Sequence, residues 1–94
     1  MEQWKSLNFV VTGRVQRVGF RNYTRQIALE LNLMGFVNNV SDGSVAGHVV
    51  GPSHSVETFI NRLYSGPPLA RVDNILTETA ESLNYSGFEI RLES

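Results

Sequence analysis

The sequence contains no cysteine, and this absence removes several kinds of chemistry at once. Disulfide bonds, thiolate nucleophiles and cysteine-ligated zinc sites are excluded, so stability has to come from packing. No run approaches the roughly 18 consecutive apolar residues that a membrane helix needs. The start, MEQWKSLNFVV, also lacks a long apolar segment followed by a small-residue cleavage site. We therefore expect a soluble cytoplasmic protein that does not bind membranes.

Strong overall charge is missing as well, since charged residues make up 18% of the chain and the formal net charge is -1. Neither disorder nor bulk attraction to nucleic acid is indicated. The charges are unevenly distributed, however. Residues 3 to 29 contain one lysine, four arginines and no acid, whereas residues 30 to 94 contain three basic and eight acidic residues. Function is therefore expected at a local site, and the N-terminal third is the basic part.

At 94 residues the chain has the size of one compact domain, and we expect residues 1–94 to form it. The apolar periodicities predict five strands and two helices. Ser53 or Ser55 is expected to cap the second helix. The predicted strands are residues 6–12, 34–40, 44–50, 71–80 and 87–92, and the predicted helices are residues 21–32 and 53–65.

The predicted order is βαββαβ with a short final strand. Two β-α-β units in one small domain, without a long series of parallel strands, favour a split β-α-β arrangement of the α+β class. We expect a ferredoxin-like α/β sandwich, in which two helices cover one face of an antiparallel sheet of four to five strands.

The stretch GRVQRVGFR, residues 13–21, joins the first predicted strand to the first predicted helix. Backbone N–H groups at a helix start are unpaired, and the helix dipole favours an anion there. Gly13 and Gly19 permit a concave arrangement of successive N–H groups, and Arg21 can add a planar two-pronged contact. An anion cradle is one interpretation. A basic turn that merely joins two elements is the other, and spacing alone leaves both open.

Other site chemistries lack their residues. No Gly-Lys-Ser/Thr ending, G-x-G-x-x-G pattern or G-x-S-x-G elbow is present. His48 and His54 lack partners for metal binding and are expected to be ordinary surface or half-buried residues, so no metal and no cofactor are predicted. Arginine, backbone amides and neutral polar groups remain. Such a set suits phosphoryl transfer, and a carboxylate leaving group departs without a general acid.

The segments VTGRVQRVGFR, GFVNN and DGSV together resemble the acylphosphatase family. GPPLARVDNI and YSGFEIR resemble its closing segments, so the resemblance covers nearly the whole chain. It implies a metal-free hydrolase, cytoplasmic and monomeric, that converts small acyl phosphates to a carboxylate and inorganic phosphate. It also implies that Arg21 binds phosphate as the catalytic arginine, that Asn39 orients the attacking water, and that a phosphate-binding loop holds the phosphate oxygens. That loop comprises Val15, Gln16, Arg17, Val18, Gly19, Phe20 and Arg21.

Some of these residues also have simpler interpretations. Asn39, taken by itself, could merely end a strand before the hairpin. Phe20 and Phe36 are expected in the core, and Arg14 and Arg25 are expected to be solvated.

Arg17 departs from the family pattern, which has glycine at this position. A left-handed backbone conformation costs a non-glycine residue about 1 kcal/mol or more. Either the loop is distorted and activity falls, or the side chain attracts anionic substrate. The alternative function is therefore a weak or inactive anion-binding module on the same fold. RNA binding is not expected, because the predicted strand SVAGHVV has no aromatic residue on which bases could stack.

Overall fold

The structure is a computed structural model that describes residues 3–91. The described chain forms a βαββαββ arrangement, which confirms the predicted α+β, ferredoxin-like fold. The strands are β1 (Trp4–Arg14), β2 (Met34–Asn39), β3 (Val45–Pro52), β4 (Arg71–Thr79) and β5 (Phe88–Ile90), and the helices are α1 (Phe20–Glu30) and α2 (Ser53–Ser65). Leu92, which was included in the last predicted strand, lies outside the described residues.

The sheet is mixed, whereas an antiparallel sheet was predicted. Its strand order is β4-β1-β3-β2-β5, and β2 and β5 are its parallel pair. Because the chain reverses between β4 and β5, and β2 already runs opposite to β4, β5 runs parallel to β2. The Gly35 N–H donates to the Gly87 carbonyl at 3.0 Å, and the Arg91 N–H donates to the Val37 carbonyl at 2.9 Å. These bonds flank the short strand and fix its position at the sheet edge.

The core lies between the two helices and one face of the sheet. Alternate residues of β1 point into it, with Phe9 and Val11 both almost fully buried. The Phe59 ring of α2 packs edge-on against Phe9, with ring centroids 5.5 Å apart, and also lies 5.9 Å from Phe88 of β5. Full burial of one such side chain contributes about 1.5–3 kcal/mol, so these rings anchor α2 to β1 and to the edge strand β5.

Phe36 is not in the core, contrary to the prediction. Val37 of β2 points to the helix face, so Phe36 lies on the opposite face, half-buried, and the Arg91 guanidinium carbon stands 3.9 Å from its ring centroid. His48 of β3 lies on the same face, the open face that the helices do not cover, and it is buried with 3% exposure rather than half-buried or at the surface. The segment 80–87 covers it there. His54 is exposed, as expected.

The start of α2 also differs from the prediction. Pro52 is the N-cap residue, and neither Ser53 nor Ser55 caps the helix with its side chain. Proline provides a backbone φ of -54° already suited to helix entry. The Ser53 N–H donates to the Gln3 carbonyl at 2.8 Å, so one donor at this helix start is paired with backbone instead of a side chain.

Candidate active site

An open cleft of about 270 Å³ lies where the loop after β1 enters α1. It contains Arg21 and Asn39, the two residues predicted to be catalytic, although they belong to different elements. Residues of the predicted phosphate-binding loop form most of the remaining wall. The lining residues are Val15, Arg17, Gly19, Phe20, Arg21, Asn22, Asn39 and Ile90. Asn22 and Ile90 were not predicted as site residues.

The loop backbone turns through two left-handed residues. Arg17 has a φ of 63° and Gly19 has a φ of 79°. Gly19 is also the N-cap of α1, with no side-chain hydrogen bond to the helix start and no acid in the first turn. Left-handed residues next to a helix N-terminus produce the concave arrangement of N–H groups that accommodates anions. Arg17 thus adopts the conformation for which the family pattern has glycine.

Gly13 does not belong to this concavity, although the sequence analysis placed it there. It lies in β1 and pairs with Val72 at an irregularity in the β1–β4 ladder. Its φ is 128°, and a Cβ at this position would lie 2.1 Å from the Arg71 carbonyl oxygen. Glycine is therefore required here by the close approach of β4, and the loop that lines the cleft begins after β1.

Arg21 is the second residue of α1 and is half-buried at the cleft wall. Within residues 3–91, the ion pairs are Lys5–Glu57, Arg62–Glu30, Arg71–Asp73 and Arg91–Glu89. No described carboxylate therefore neutralises Arg17 or Arg21. Two positive charges beside a helix N-terminus make this cleft attractive to an anion.

Asn39 is the last residue of β2 and is only 6% exposed. Its Oδ1 is buried and accepts no hydrogen bond from the described part of the chain. An unpaired buried acceptor costs about 1–3 kcal/mol, which a donor from water or a ligand in the cleft would offset. The position therefore suits a group that holds a water molecule. A carboxamide is not a base, so a side chain of this type can direct a water molecule without deprotonating it.

Gln16 is a loop residue whose side chain is directed away from the cleft. Its Nε2 donates to the Val40 carbonyl at 2.7 Å and to the Ser44 carbonyl at 2.8 Å. The loop is thereby tied to the β2–β3 hairpin, which follows directly after Asn39. This anchoring role was missed, since no charge or spacing in the sequence indicates where an amide side chain points. Val18 is half-buried against the core and likewise does not line the cleft.

The hairpin that Gln16 contacts is itself internally bonded. The Asp42 carboxylate accepts from the Ser44 hydroxyl at 2.6 Å and from the Ser44 N–H at 2.9 Å. The Ser44 side-chain hydrogen bond, followed by the backbone one, lowers the pKa of Asp42. Asp42 is therefore ionised at neutral pH, and the hairpin presents a fixed shape to the loop.

The remaining predicted residues divide as follows. Phe20 is 1% exposed and belongs to the core, as expected, although its edge also reaches the cleft. Arg14 is exposed, in agreement with the prediction. Arg25 is exposed too, but its Nε donates to the Phe88 carbonyl at 3.1 Å, so it ties α1 to β5 rather than being only solvated.

Residues 3–91 contain neither a metal-binding cluster nor a membrane-spanning helix. Across residues 3–91, no three His, Asp or Glu side chains form a group that could hold a metal ion. No helix in this range is long and apolar enough to cross a membrane. The cleft wall itself offers arginine, asparagine, apolar groups and backbone amides.

Fold and cleft together define a small α+β protein with an arginine-lined cleft at a helix N-terminus. The family model described as Acylphosphatase matches residues 7–90, and the chain belongs to the acylphosphatase family. An acylphosphatase of Archaeoglobus fulgidus is 42% identical over 85 residues, which cover 90% of this chain and 96% of the relative.

Solved structures agree with this membership. An acylphosphatase from Coxiella burnetii superposes with a TM-score of 0.90 at 36% identity, covering 94% of this chain and 93% of the other. A crystal structure of acylphosphatase from Bacillus subtilis gives a TM-score of 0.89 at 31% identity, covering 95% and 99% of the two chains. The similarity thus covers at least nine-tenths of this chain and of each of these three acylphosphatases.

Proposed function

We propose that this protein hydrolyses the carboxyl–phosphate bond of acyl phosphates, giving a carboxylate and inorganic phosphate, in the cleft beside α1. Membership of the acylphosphatase family supports the reaction type. The observation that carries the site assignment is the position of Asn39, which lines the same cleft as Arg21 and has a buried Oδ1 with no hydrogen-bond partner in the described chain. One group can direct water there while the other binds phosphate.

In the proposed complex, the phosphoryl group occupies the concavity formed by residues 15–20 and the start of α1. Backbone N–H groups and the Arg21 guanidinium donate to its equatorial oxygens, where charge is concentrated in the transition state. Charge-assisted hydrogen bonds of this kind contribute about 1.5–3 kcal/mol each. Binding and transition-state stabilisation then come from the same groups.

Asn39 Oδ1 accepts one hydrogen of the attacking water and so aligns its oxygen with phosphorus. The new bond forms between the water oxygen and phosphorus as the bond from phosphorus to the acyl oxygen breaks. The acyl group leaves as a carboxylate, which needs no proton, and a phosphate oxygen takes the proton lost by water. Among residues 3–91, no His, Asp or Glu lines the cleft, and the proposed route uses no side-chain base.

The assignment is tested with Arg21→Ala and Asn39→Ala in an acyl phosphate hydrolysis assay containing a chelator. Each substitution is expected to lower turnover by at least about a hundredfold, as loss of a preorganised transition-state contact does. Arg14→Ala is the matched control, because Arg14 is exposed and lies outside the cleft. Far-ultraviolet circular dichroism should be unchanged in all three variants. Near-normal turnover in a folded Arg21→Ala or Asn39→Ala variant would refute the assignment.

The remaining features of the proposal concern the whole protein. We propose that it acts as a cytoplasmic monomer, as one domain over residues 1–94, without cofactor, metal or nucleic-acid partner. The chelator in the assay tests the metal, and size-exclusion chromatography with light scattering tests the monomer. No observation supports the alternative of an inactive module, since Arg17 is accommodated in the left-handed conformation that the loop requires.

A further inference from the structure

Arg17 is a charged cleft residue to which the proposed reaction gives no task. Its backbone belongs to the loop, but its side chain is exposed at the cleft, and no described carboxylate pairs with it. Arg14, nearby in sequence, is also exposed but does not line the cleft. The Arg17 guanidinium therefore stands at the cleft, although the backbone conformation of this residue favours glycine.

The geometry of the reaction limits which residues can meet the acyl group. In-line displacement places the leaving group on the side of phosphorus opposite the attacking water, and hence away from Asn39. With Arg21 and the loop amides occupied by phosphate, the other described side chains at the cleft are the buried Val15 and Phe20 and the exposed Arg17, Asn22 and Ile90, and the exposed three can extend to the acyl group. Among the three exposed side chains, Ile90 offers an apolar contact and Arg17 is the one that carries a positive charge.

We propose that Arg17 is a specificity residue that favours acyl phosphates whose acyl group carries a second negative charge. The inference rests on the proposed function and names the substrate class of that same cleft. Its physical basis is the pairing of an otherwise unneutralised guanidinium with a distal carboxylate. Because the Arg17 side chain is exposed, the effect is modest and sensitive to salt.

The test compares benzoyl phosphate with 4-carboxybenzoyl phosphate, which differ by one distal carboxylate on a rigid ring. We define the preference as kcat/KM for the carboxylated substrate divided by kcat/KM for the plain one. Arg17→Gln is expected to lower this preference about three- to fivefold, the upper part of the range for an exposed ion pair, mainly through KM. Arg17→Lys should retain most of it. Arg14→Gln, which removes an exposed charge outside the cleft, should leave it unchanged.

Arg17→Gly separates charge from backbone conformation, since it removes both the guanidinium and the left-handed strain. If the charge determines the preference, the Gly and Gln variants should show the same loss, and 0.5 M salt should reduce the wild-type preference towards theirs. If Arg17→Gln lowers kcat/KM equally for both substrates, or leaves both values unchanged, the preference is unaltered. Either result would overturn the inference while leaving the hydrolase assignment intact. Absence of turnover of either substrate by wild type would instead refute the proposed function and this inference with it.

Discussion

Arg17 shows how a single backbone angle can set both stability and chemistry. Its φ of 63° is left-handed, a region in which a Cβ crowds the backbone at a cost of about 1–2 kcal/mol. The side chain is exposed, so little packing is lost when it is removed. Arg17→Gly is therefore expected to raise the free energy of unfolding by about 1 kcal/mol, measured by urea denaturation.

Asn32 provides the matched control for this substitution. It is the other described non-glycine residue with positive φ, at 56°, and it is also exposed. Asparagine tolerates the left-handed region because its short side chain bonds locally, so Asn32→Gly should change stability much less than Arg17→Gly. An Arg17→Gly variant no more stable than wild type would show that the loop carries no strain at this residue.

At the residue scale, the sequence indicated one of the two proposed catalytic residues better than the other. Arg21 lies two residues after Gly19 at a predicted helix start, where physical reasoning already favours an anion. Asn39 looked like the end of a strand, and only the family pattern singled it out. Phe36 and His48 were misplaced because both β2 and β3 carry apolar residues at successive positions, so alternation does not reveal which face meets the helices.

Between elements, a chain of hydrogen bonds ties the segment 80–87 to the open face of the sheet. The Ser6 hydroxyl donates to the Glu81 carbonyl at 2.8 Å and contacts His48 Nε2 at 2.6 Å, while His48 Nδ1 contacts the Tyr85 hydroxyl at 2.6 Å. Because Ser6 has one proton and gives it to Glu81, His48 Nε2 carries hydrogen and donates to Ser6. Neutral His48 then accepts the Tyr85 proton at Nδ1.

Protonation of His48 disrupts this chain, so stability should depend on pH. Burial lowers the pKa of His48 below its ordinary value of 6.5. As pH falls through 6.5, the unfolded chain binds a proton before the folded one does, and the free energy of unfolding decreases, by at most about 1.4 kcal/mol per pH unit. Stability from this group is thus complete above pH 6.5 and declines below it.

The measurement is urea denaturation between pH 7.5 and 5.0 on wild type, His48→Gln and His54→Gln. His48→Gln should reduce the slope of the free energy of unfolding against pH. It should also lower that free energy at every pH, since glutamine cannot bridge Ser6 and Tyr85 in the same way. His54 is exposed, so His54→Gln should keep the wild-type slope. A slope that persists in His48→Gln would assign the pH dependence to another group.

Element order was predictable, but two contacts between elements were not. Turn residues such as the Asp42-Gly43 pair and the apolar periodicities place the strands and helices correctly along the chain. The parallel pairing of β5 depends on which edge the chain reaches after β4, and no local pattern encodes that. The Gln16 hydrogen bonds to the β2–β3 hairpin likewise exist only once the loop and the hairpin have met.

For the whole molecule, sheet topology explains why the site residues converge. Strands β1 and β2 both pair antiparallel with β3, which lies between them, so they run in the same direction. In the registers of these pairs, Val11 and Asn39 both lie opposite Val45. The end of β2 and the loop that follows β1 therefore meet at one end of the sheet. The net charge of -1 does not indicate that this end would attract an anion.

Binding at this one cleft should be detectable as stability of the entire fold. A ligand that binds only the folded state stabilises it by RT ln(1 + [L]/Kd), or about 1.4 kcal/mol at ten times Kd. Inorganic phosphate is thus expected to raise Tm by roughly 6–11 °C for a domain of this size. Differential scanning calorimetry against sodium chloride of equal ionic strength separates site binding from general screening.

The same measurement distinguishes the two proposed catalytic residues. Arg21→Ala should abolish most of the phosphate-dependent rise in Tm, because Arg21 is proposed to bind phosphate directly. Asn39→Ala should keep it, because Asn39 is proposed to hold the attacking water, which is not part of the bound phosphate. Loss of the rise in both variants would make Asn39 a phosphate ligand. Persistence of the rise in Arg21→Ala would place phosphate elsewhere than at the start of α1.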